Sequence, residues 1–318
     1  MHSPFLGLIA APHTPFVPER GSGGALDLDR VPGQAAHLAR DGVAAVFVAG
    51  ATGEGASLAD GEKRDLFEAW AEVGPAHGLR VIAQVGGESV VAATRLADFA
   101  AGLDGVEALG AIAPCFHRPA SAELVARSIG EIAAAASGCP LYYYDIPALT
   151  GLPFSARDLA RAFGEHAPGL RGIKCSRYEG WHVQDYLAAH GGAYDVLCGT
   201  DEALLSALGL GVRGAVGSTY NFAAPLFLAI LAAHGAGETE RARELQRRSI
   251  DLVQALASFG YVAAARWTME QLGVPLGPPR LPIAGLGDGD AARLDAALRA
   301  IDFQGAIRLG AEPADADA

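Results

Sequence analysis

Short apolar segments alternate with longer segments of helical periodicity along most of this chain. Runs of four to six apolar residues are typical of strands buried on both faces, which belong to parallel sheets covered by helices. Eight segments are therefore predicted to be strands: Gly7–Ala11, Ala44–Ala49, Arg80–Val85, Glu107–Ile112, Pro140–Tyr144, Leu170–Lys174, Tyr194–Cys198 and Gly214–Val216.

Helical patterns separate these strands, and several begin with a serine or aspartate in the N-cap position, as at Ser89, Ser121 and Asp201. Eight such units, spaced by about 30 residues, favour a closed (β/α)8 TIM barrel over an open doubly wound sheet. No Gly-x-Gly-x-x-Gly follows the first strand, which argues against a dinucleotide fold. The predicted helices are Leu28–Asp41, Asp60–His77, Ser89–Leu103, Ser121–Ala136, Ser155–Phe163, Gly180–Ala189 and Asp201–Leu210.

About 100 residues follow the eighth strand, more than the last helix of a barrel requires. We therefore expect a barrel domain over residues 1–225 and a helical C-terminal extension over residues 226–318 that packs on it. Four additional helices are predicted in this part of the chain: Phe222–His234, Thr239–Phe259, Tyr261–Leu272 and Asp290–Ile301.

Composition excludes several classes of partner. With 51% apolar residues the chain can bury a large core, and its net charge of −12 argues against nucleic acid. No segment approaches the ~18 uncharged apolar residues of a membrane span. The cysteines never form a Cys-x-x-Cys pair, so we expect no metal site, no disulfide and a cytoplasmic location. They are Cys115, Cys139, Cys175 and Cys198.

Lysine is scarce, because Lys63 and Lys174 are the two lysines among 24 basic residues. Lys174 lies in the apolar segment Leu170–Ser176, where loss of water would favour a neutral amine that can attack carbonyl groups. The alternative interpretation of Lys174 is a lysine at a strand end whose amine reaches solvent. Lys63 lies in the charged stretch Asp60–Asp65, which is typical of a solvated helix start.

The ends of the predicted strands bring further polar residues to one face of the barrel. Gly50–Gly55 lacks the Gly-Lys-Ser/Thr ending of a phosphate loop, so no nucleotide cofactor is expected. Its glycines and Thr52 would instead suit the binding of a small carboxylate. The alternative is an ordinary glycine-rich turn. Tyr144 ends the strand before that of Lys174, which places a phenol near the amine. Asp201 and Glu202 follow the seventh strand, either as helix caps or as acceptors for substrate hydroxyls.

Taken together, four segments resemble the pyruvate-dependent aldolases, the dihydrodipicolinate synthase / N-acetylneuraminate lyase family. The resemblance covers about residues 5 to 303 and implies a TIM barrel with C-terminal helices, assembled as a homotetramer. It implies that Lys174 forms a Schiff base with pyruvate and that Tyr144 relays protons. It also implies that Ala51 and Thr52 hold the carboxylate of a small keto acid. The segments are Gly50–Glu54, Tyr144–Gly151, Gly172–Lys174 and Gly217–Asn221.

Within this family the chain resembles the sialic acid lyase branch. Synthases carry an arginine where this chain has Leu149, which disfavours a substrate with a second carboxylate. The lyase resemblance implies cleavage of N-acetylneuraminate to N-acetylmannosamine and pyruvate. By the same resemblance the sugar is held by Ser176, Gly199, Asp201, Glu202 and Ser218.

Three positions depart from the family pattern. Ala51 stands where a serine or threonine is usual, Phe116 where synthases have a tyrosine that crosses a dimer, and Asp145 where asparagine or histidine is common. These departures keep open an aldolase or dehydratase for another 2-keto-3-deoxy sugar acid. A non-catalytic sugar-acid sensor is a third hypothesis, although a binding protein would not need the amine of Lys174.

Overall fold

Eight parallel strands close into a barrel in the order in which they occur along the chain. This is a computed structural model, and it describes residues 3–18 and 24–309. Each strand pairs with its sequence neighbours, and the first pairs with the last, which confirms the predicted TIM barrel. The strands are β1 (Gly7–Ala10), β2 (Ala45–Val48), β3 (Arg80–Gln84), β4 (Val106–Ile112), β5 (Leu141–Asp145), β6 (Leu170–Cys175), β7 (Asp195–Cys198) and β8 (Gly214–Gly217).

The helices of the barrel cover the outside of the strands. Two predicted helices are divided, because short 3-10 turns at Leu28–Arg30 and Asp201–Ala203 precede their α-helical parts, and a one-turn helix after β5 was not predicted. The helices are α1 (Val31–Arg40), α2 (Asp60–Ala76), α3 (Val90–Ala101), α4 (Ala122–Ala135), α5 (Pro147–Thr150), α6 (Ala156–His166), α7 (Gly180–Ala188) and α8 (Leu204–Gly209).

The predicted caps have two different outcomes. The Ser89 and Ser121 hydroxyls accept hydrogen bonds from backbone N–H groups in the first turns of α3 and α4, as expected. The prediction for Asp201 is wrong, because it is the first residue of a 3-10 turn rather than its cap. Its carboxylate instead accepts a hydrogen bond at 2.9 Å from the backbone N–H of Thr219, beyond β8.

Further helices follow β8, as predicted from the length of the chain. No helix in residues 3–18 and 24–309 is long and apolar enough to cross a membrane. Residues 310–318 of the predicted extension lie outside the described residues. The C-terminal helices are α9 (Tyr220–Gly235), α10 (Thr239–Ala257), α11 (Tyr261–Gln271), α12 (Asp290–Ala300) and α13 (Phe303–Ala306).

Buried side chains fill both the inside of the barrel and the layer between strands and helices. Tyr143 packs in the outer layer against Phe163, whereas Tyr142 and Tyr144 face the barrel interior, as the alternation of a strand requires. The Tyr142 hydroxyl donates a hydrogen bond to Asp195 at 2.7 Å. Aromatic packing therefore explains Tyr142 and Tyr143, while Tyr144 lies at the end of β5.

A buried ion pair joins the C-terminal helices to the loop after β2. Glu54, at a positive φ of 53°, accepts a hydrogen bond at 2.8 Å from the Arg266 guanidinium on α11 and another at 2.8 Å from the backbone N–H of Arg280. Arg266 also donates to the backbone carbonyl groups of Thr14 and Leu276, so its charge is well partnered. This contact holds α11 against the end of the barrel where the strands terminate.

Candidate active site at the carboxyl ends of the strands

Lys174 lies near the carboxyl end of β6, where its amine is enclosed by aromatic rings. The strand register pairs it with Tyr144 on β5, and its Nζ atom lies 3.7 Å from the centroid of the Tyr144 ring and 4.4 Å from that of Phe47. Ring faces attract an ammonium, but loss of water disfavours it more strongly. Burial lowers the pKa of Lys174 from 10.5 to about 7, and the negative charge of Asp201 opposes this change.

Tyr144 is buried against the same amine and packs edge-on against Phe47, with ring centroids 5.6 Å apart. Burial raises the pKa of its phenol above the ordinary value, and the Ser176 side chain opposes the increase. The phenol is therefore protonated at neutral pH. The sequence-based prediction that a phenol and the Lys174 amine are neighbours agrees with this geometry.

A cavity of about 220 Å³ opens above the amine. Most of the residues that the sequence predicts for the site contribute to its wall, and they come from the ends of β2, β5, β6, β7 and β8. The predicted residues in the wall are Thr52, Tyr144, Lys174, Gly199, Asp201, Glu202 and Ser218.

Ala51 and Ser176 are predicted site residues that do not line this cavity. Ala51 is exposed. Ser176 lies behind the wall, where its hydroxyl donates a hydrogen bond at 2.9 Å to the backbone carbonyl of Gly199. A Cβ atom on Gly199 would lie 2.1 Å from this hydroxyl oxygen, so only glycine allows that contact.

Asp201 contributes a buried carboxylate to the wall beside Lys174. Burial raises its pKa from 3.8 to about 6, whereas the hydrogen bonds from Thr219 and the charge of Lys174 lower it. A Cβ atom on Gly217 would lie 2.0 Å from a carboxylate oxygen of Asp201, so glycine at the end of β8 makes room for the acid. The site therefore holds an amine and a carboxylate that both titrate near neutral pH.

Tyr261 is a residue of the wall that the sequence analysis did not predict. It begins α11, and its hydroxyl contacts the hydroxyl groups of Ser218 and Thr219, each at 2.8 Å. Val253 of α10 also lines the cavity. Their location in the C-terminal helices could have indicated them, because these helices cover the face of the barrel where the strands end.

Two other expectations change once the side chains are placed. Asp145, which from its position in the sequence could have repelled an anionic substrate or bound a sugar hydroxyl, does not line the cavity, and its buried carboxylate is bound by the Arg177 guanidinium and by the Tyr186 hydroxyl. Lys63 was expected to be solvated, but it is buried within α2. Its Nζ atom lies 4.0 Å from the position that a Cβ atom would take on Gly87, in the loop after β3.

Known proteins resemble this chain in both sequence and fold. The family model described as "Dihydrodipicolinate synthetase family" matches residues 4–301. N-acetylneuraminate lyase of Danio rerio is 34% identical over 284 residues, which cover 87% of this chain and 90% of that protein. The structure of Proteus mirabilis N-acetylneuraminate lyase superposes with a TM-score of 0.89 at 32% identity, covering 95% of this chain and all of that one.

A second kind of aldolase is also similar. A variant of Sulfolobus solfataricus 2-keto-3-deoxygluconate aldolase superposes with a TM-score of 0.84 at 25% identity, covering 94% of this chain and 97% of that chain. The match of the family model to nearly the whole chain, together with relatives above 30% identity, decides the assignment. This chain is a member of the dihydrodipicolinate synthetase family.

Proposed function

We propose that this protein is a class I aldolase that cleaves N-acetylneuraminate to N-acetylmannosamine and pyruvate through a Schiff base on Lys174. The observation that carries the proposal is the Lys174 amine, which is 4% exposed, lies against the Tyr144 ring and has a pKa of about 7. Similarity to N-acetylneuraminate lyases over most of the chain supports this substrate. The homotetramer implied by the family resemblance and the cytoplasmic location expected from the cysteines belong to the same proposal.

The chemistry begins when the neutral Lys174 amine attacks the C2 ketone of the open-chain sugar acid. The carbinolamine then loses water and becomes an iminium ion, which accepts the electron pair released when the C3–C4 bond breaks. The proton of the C4 hydroxyl leaves at the same step, so the C4 end departs as an aldehyde and an enamine of pyruvate stays on Lys174. Protonation of that enamine at C3 and hydrolysis of the resulting imine release pyruvate and restore the amine.

Tyr144 is placed to carry the protons of this sequence. Because burial raises the pKa of its phenol, Tyr144 is protonated before the reaction starts, and the phenolate left after it donates that proton is a strong base that can take the next one. It can donate to the departing water of the carbinolamine and take part in removing the C4 hydroxyl proton. The substrate carboxylate, which we place beside Thr52 in the cavity wall, assists that removal.

The rest of the wall suits a polyol. Asp201, Glu202 and Ser218 present two carboxylates and a hydroxyl to the cavity, and these groups accept hydrogen bonds from sugar hydroxyls. Leu149 is exposed and offers no cation to a second substrate carboxylate. The wall therefore favours a sugar acid with one carboxylate over a dicarboxylic substrate.

The test combines turnover with trapping. Purified protein should release pyruvate from N-acetylneuraminate in a lactate dehydrogenase-coupled assay. Borohydride reduction in the presence of pyruvate should leave a mass adduct on the peptide that contains Lys174. An absent adduct, or an adduct on the peptide of Lys63, contradicts the mechanism.

A second candidate function is supported by the likeness to 2-keto-3-deoxygluconate aldolase. That reaction would use the same Schiff base with a six-carbon acid. The coupled assay separates the two candidates, because our proposal requires a higher kcat/KM for N-acetylneuraminate than for 2-keto-3-deoxygluconate. The reverse order would favour the second candidate.

A further inference from the structure

Tyr178 lies at the mouth of the cavity and takes no part in the mechanism above. It follows β6 in the loop before α7, lines the cavity together with Glu202, and is 73% exposed. A single exposed aromatic residue is not by itself evidence of a binding site. The contacts of the surrounding loop show how Tyr178 is held at the cavity.

The two residues before Tyr178 are fixed by hydrogen bonds. The Ser176 hydroxyl donates to Gly199, and the Arg177 guanidinium donates to the buried carboxylate of Asp145 and, at 2.9 Å, to the backbone carbonyl of Phe154. These contacts hold the loop backbone at the edge of the cavity. Tyr178 is thereby held at the mouth, with most of its ring left for contact with another molecule.

Burial along the cavity follows the direction in which a bound sugar acid would extend. Lys174, which forms the bond to C2, is 4% exposed, and Asp201 beside it is 6% exposed. Glu202 is half-buried, and Tyr178 is the most exposed of these wall residues. A substrate that is bonded to Lys174 at C2 and extends from the buried part of the cavity to its mouth brings its distal carbons towards Tyr178.

The size of the cavity leads to the same conclusion. It encloses about 220 Å³, which is below the roughly 300–1,000 Å³ of pockets that enclose drug-sized ligands. A six-carbon keto acid needs only the deep part of such a site. A nine-carbon sugar acid extends beyond it and reaches the mouth.

We propose that Tyr178 is a specificity-determining residue whose ring packs against the distal carbons of long-chain 2-keto-3-deoxy sugar acids. An aromatic ring covers C–H groups of a sugar at little entropic cost, because it has few rotatable bonds. The Glu202 carboxylate beside it accepts hydrogen bonds from hydroxyl groups on the same part of the ligand. This inference deepens the proposed function and rests on it for the class of substrate.

The test compares Tyr178→Ala with Tyr178→Phe on keto acids of six, eight and nine carbons, N-acetylneuraminate included. For Tyr178→Ala we expect KM to rise about three- to tenfold with the nine-carbon acids, the size of one aromatic contact. With the six-carbon acid KM should change by less than about twofold, and kcat should change little with any of them. Tyr178→Phe should keep nearly the original KM throughout.

The matched control is Trp181→Ala, which removes an exposed aromatic residue three positions later that does not line the cavity. It should leave every KM unchanged. The inference is overturned if the effect of Tyr178→Ala does not grow with chain length, if Tyr178→Phe is equally impaired, or if Trp181→Ala has the same effect. If the wild-type protein does not cleave N-acetylneuraminate, the proposed function is refuted. The role of Tyr178 can still be measured separately with the other keto acids of six, eight and nine carbons.

Discussion

The two lysines of this chain are both buried, yet their surroundings differ. The Lys174 side chain lines a cavity beside Tyr144 and Asp201, whereas the Lys63 amine lies close to Gly87, in the loop after β3. Burial lowers the pKa of each amine, and a nearby carboxylate opposes the change in both cases, Asp201 for Lys174 and Asp60 for Lys63. A lowered pKa is therefore common to both positions.

The difference lies in what can reach the amine. A nucleophile needs space for an electrophile and a group that moves protons beside it. Lys174 has a cavity of about 220 Å³ and a phenol that lies against it, while Lys63 lines none of the described cavities. The surroundings of the amine, rather than burial alone, therefore distinguish Lys174, the lysine that we propose as the nucleophile.

The largest expected effect comes from replacing Lys174 with methionine, and the same replacement at Lys63 is the comparison. Lys174→Met should reduce pyruvate release from N-acetylneuraminate by at least about 10³-fold, because no other group can form the imine. Lys174→Arg should be equally inactive, since a guanidinium stays protonated. Lys63→Met should retain activity within about twofold. Initial rates in the coupled assay measure all three, and substantial activity in Lys174→Met would refute the assignment of the nucleophile.

The sequence alone predicts the barrel and much of the site because both depend on local patterns. Apolar runs separated by helical periods define the strands, and the closed barrel then brings the strand ends together. The pairing of Tyr144 with Lys174 follows from this order, because β5 and β6 are neighbours.

What the sequence does not predict depends on contacts between distant segments. Tyr261 is more than 40 positions from Ser218, so no spacing rule connects their hydroxyl groups. The charged stretch around Lys63 is typical of solvated helices, and only the fold shows that Lys63 is buried. The sequence does not indicate the partner of Asp145 either, because the Arg177 guanidinium that binds it comes from the loop after β6.

The second prediction concerns the pH dependence of kcat/KM. Because the Lys174 amine must be neutral to react and its pKa is about 7, kcat/KM should rise about tenfold per pH unit below pH 7 and level off above it. Asp201→Asn should move the inflection to lower pH, since the negative charge of Asp201 raises the pKa of Lys174. Rates between pH 5.5 and 9 measure both profiles.

Lys63→Met is the control for this profile and should leave the inflection in place. An inflection near pH 10 in the unaltered protein would mean that the Lys174 amine is solvated. That result would contradict the loss of water from the amine on which the proposed mechanism depends.

The smallest expected effect concerns stability at Lys63. Because burial lowers its pKa in the folded state, the unfolded chain binds the proton more tightly. The resulting cost to folding is complete below the folded-state pKa and fades as pH rises towards the ordinary value of about 10.4. Lys63→Met should therefore raise the free energy of unfolding by about 1 kcal/mol at pH 7 and by less at pH 10. Urea unfolding at both pH values measures the difference, and a variant that is less stable at pH 7 would show that the Lys63 amine makes a contact the fold requires.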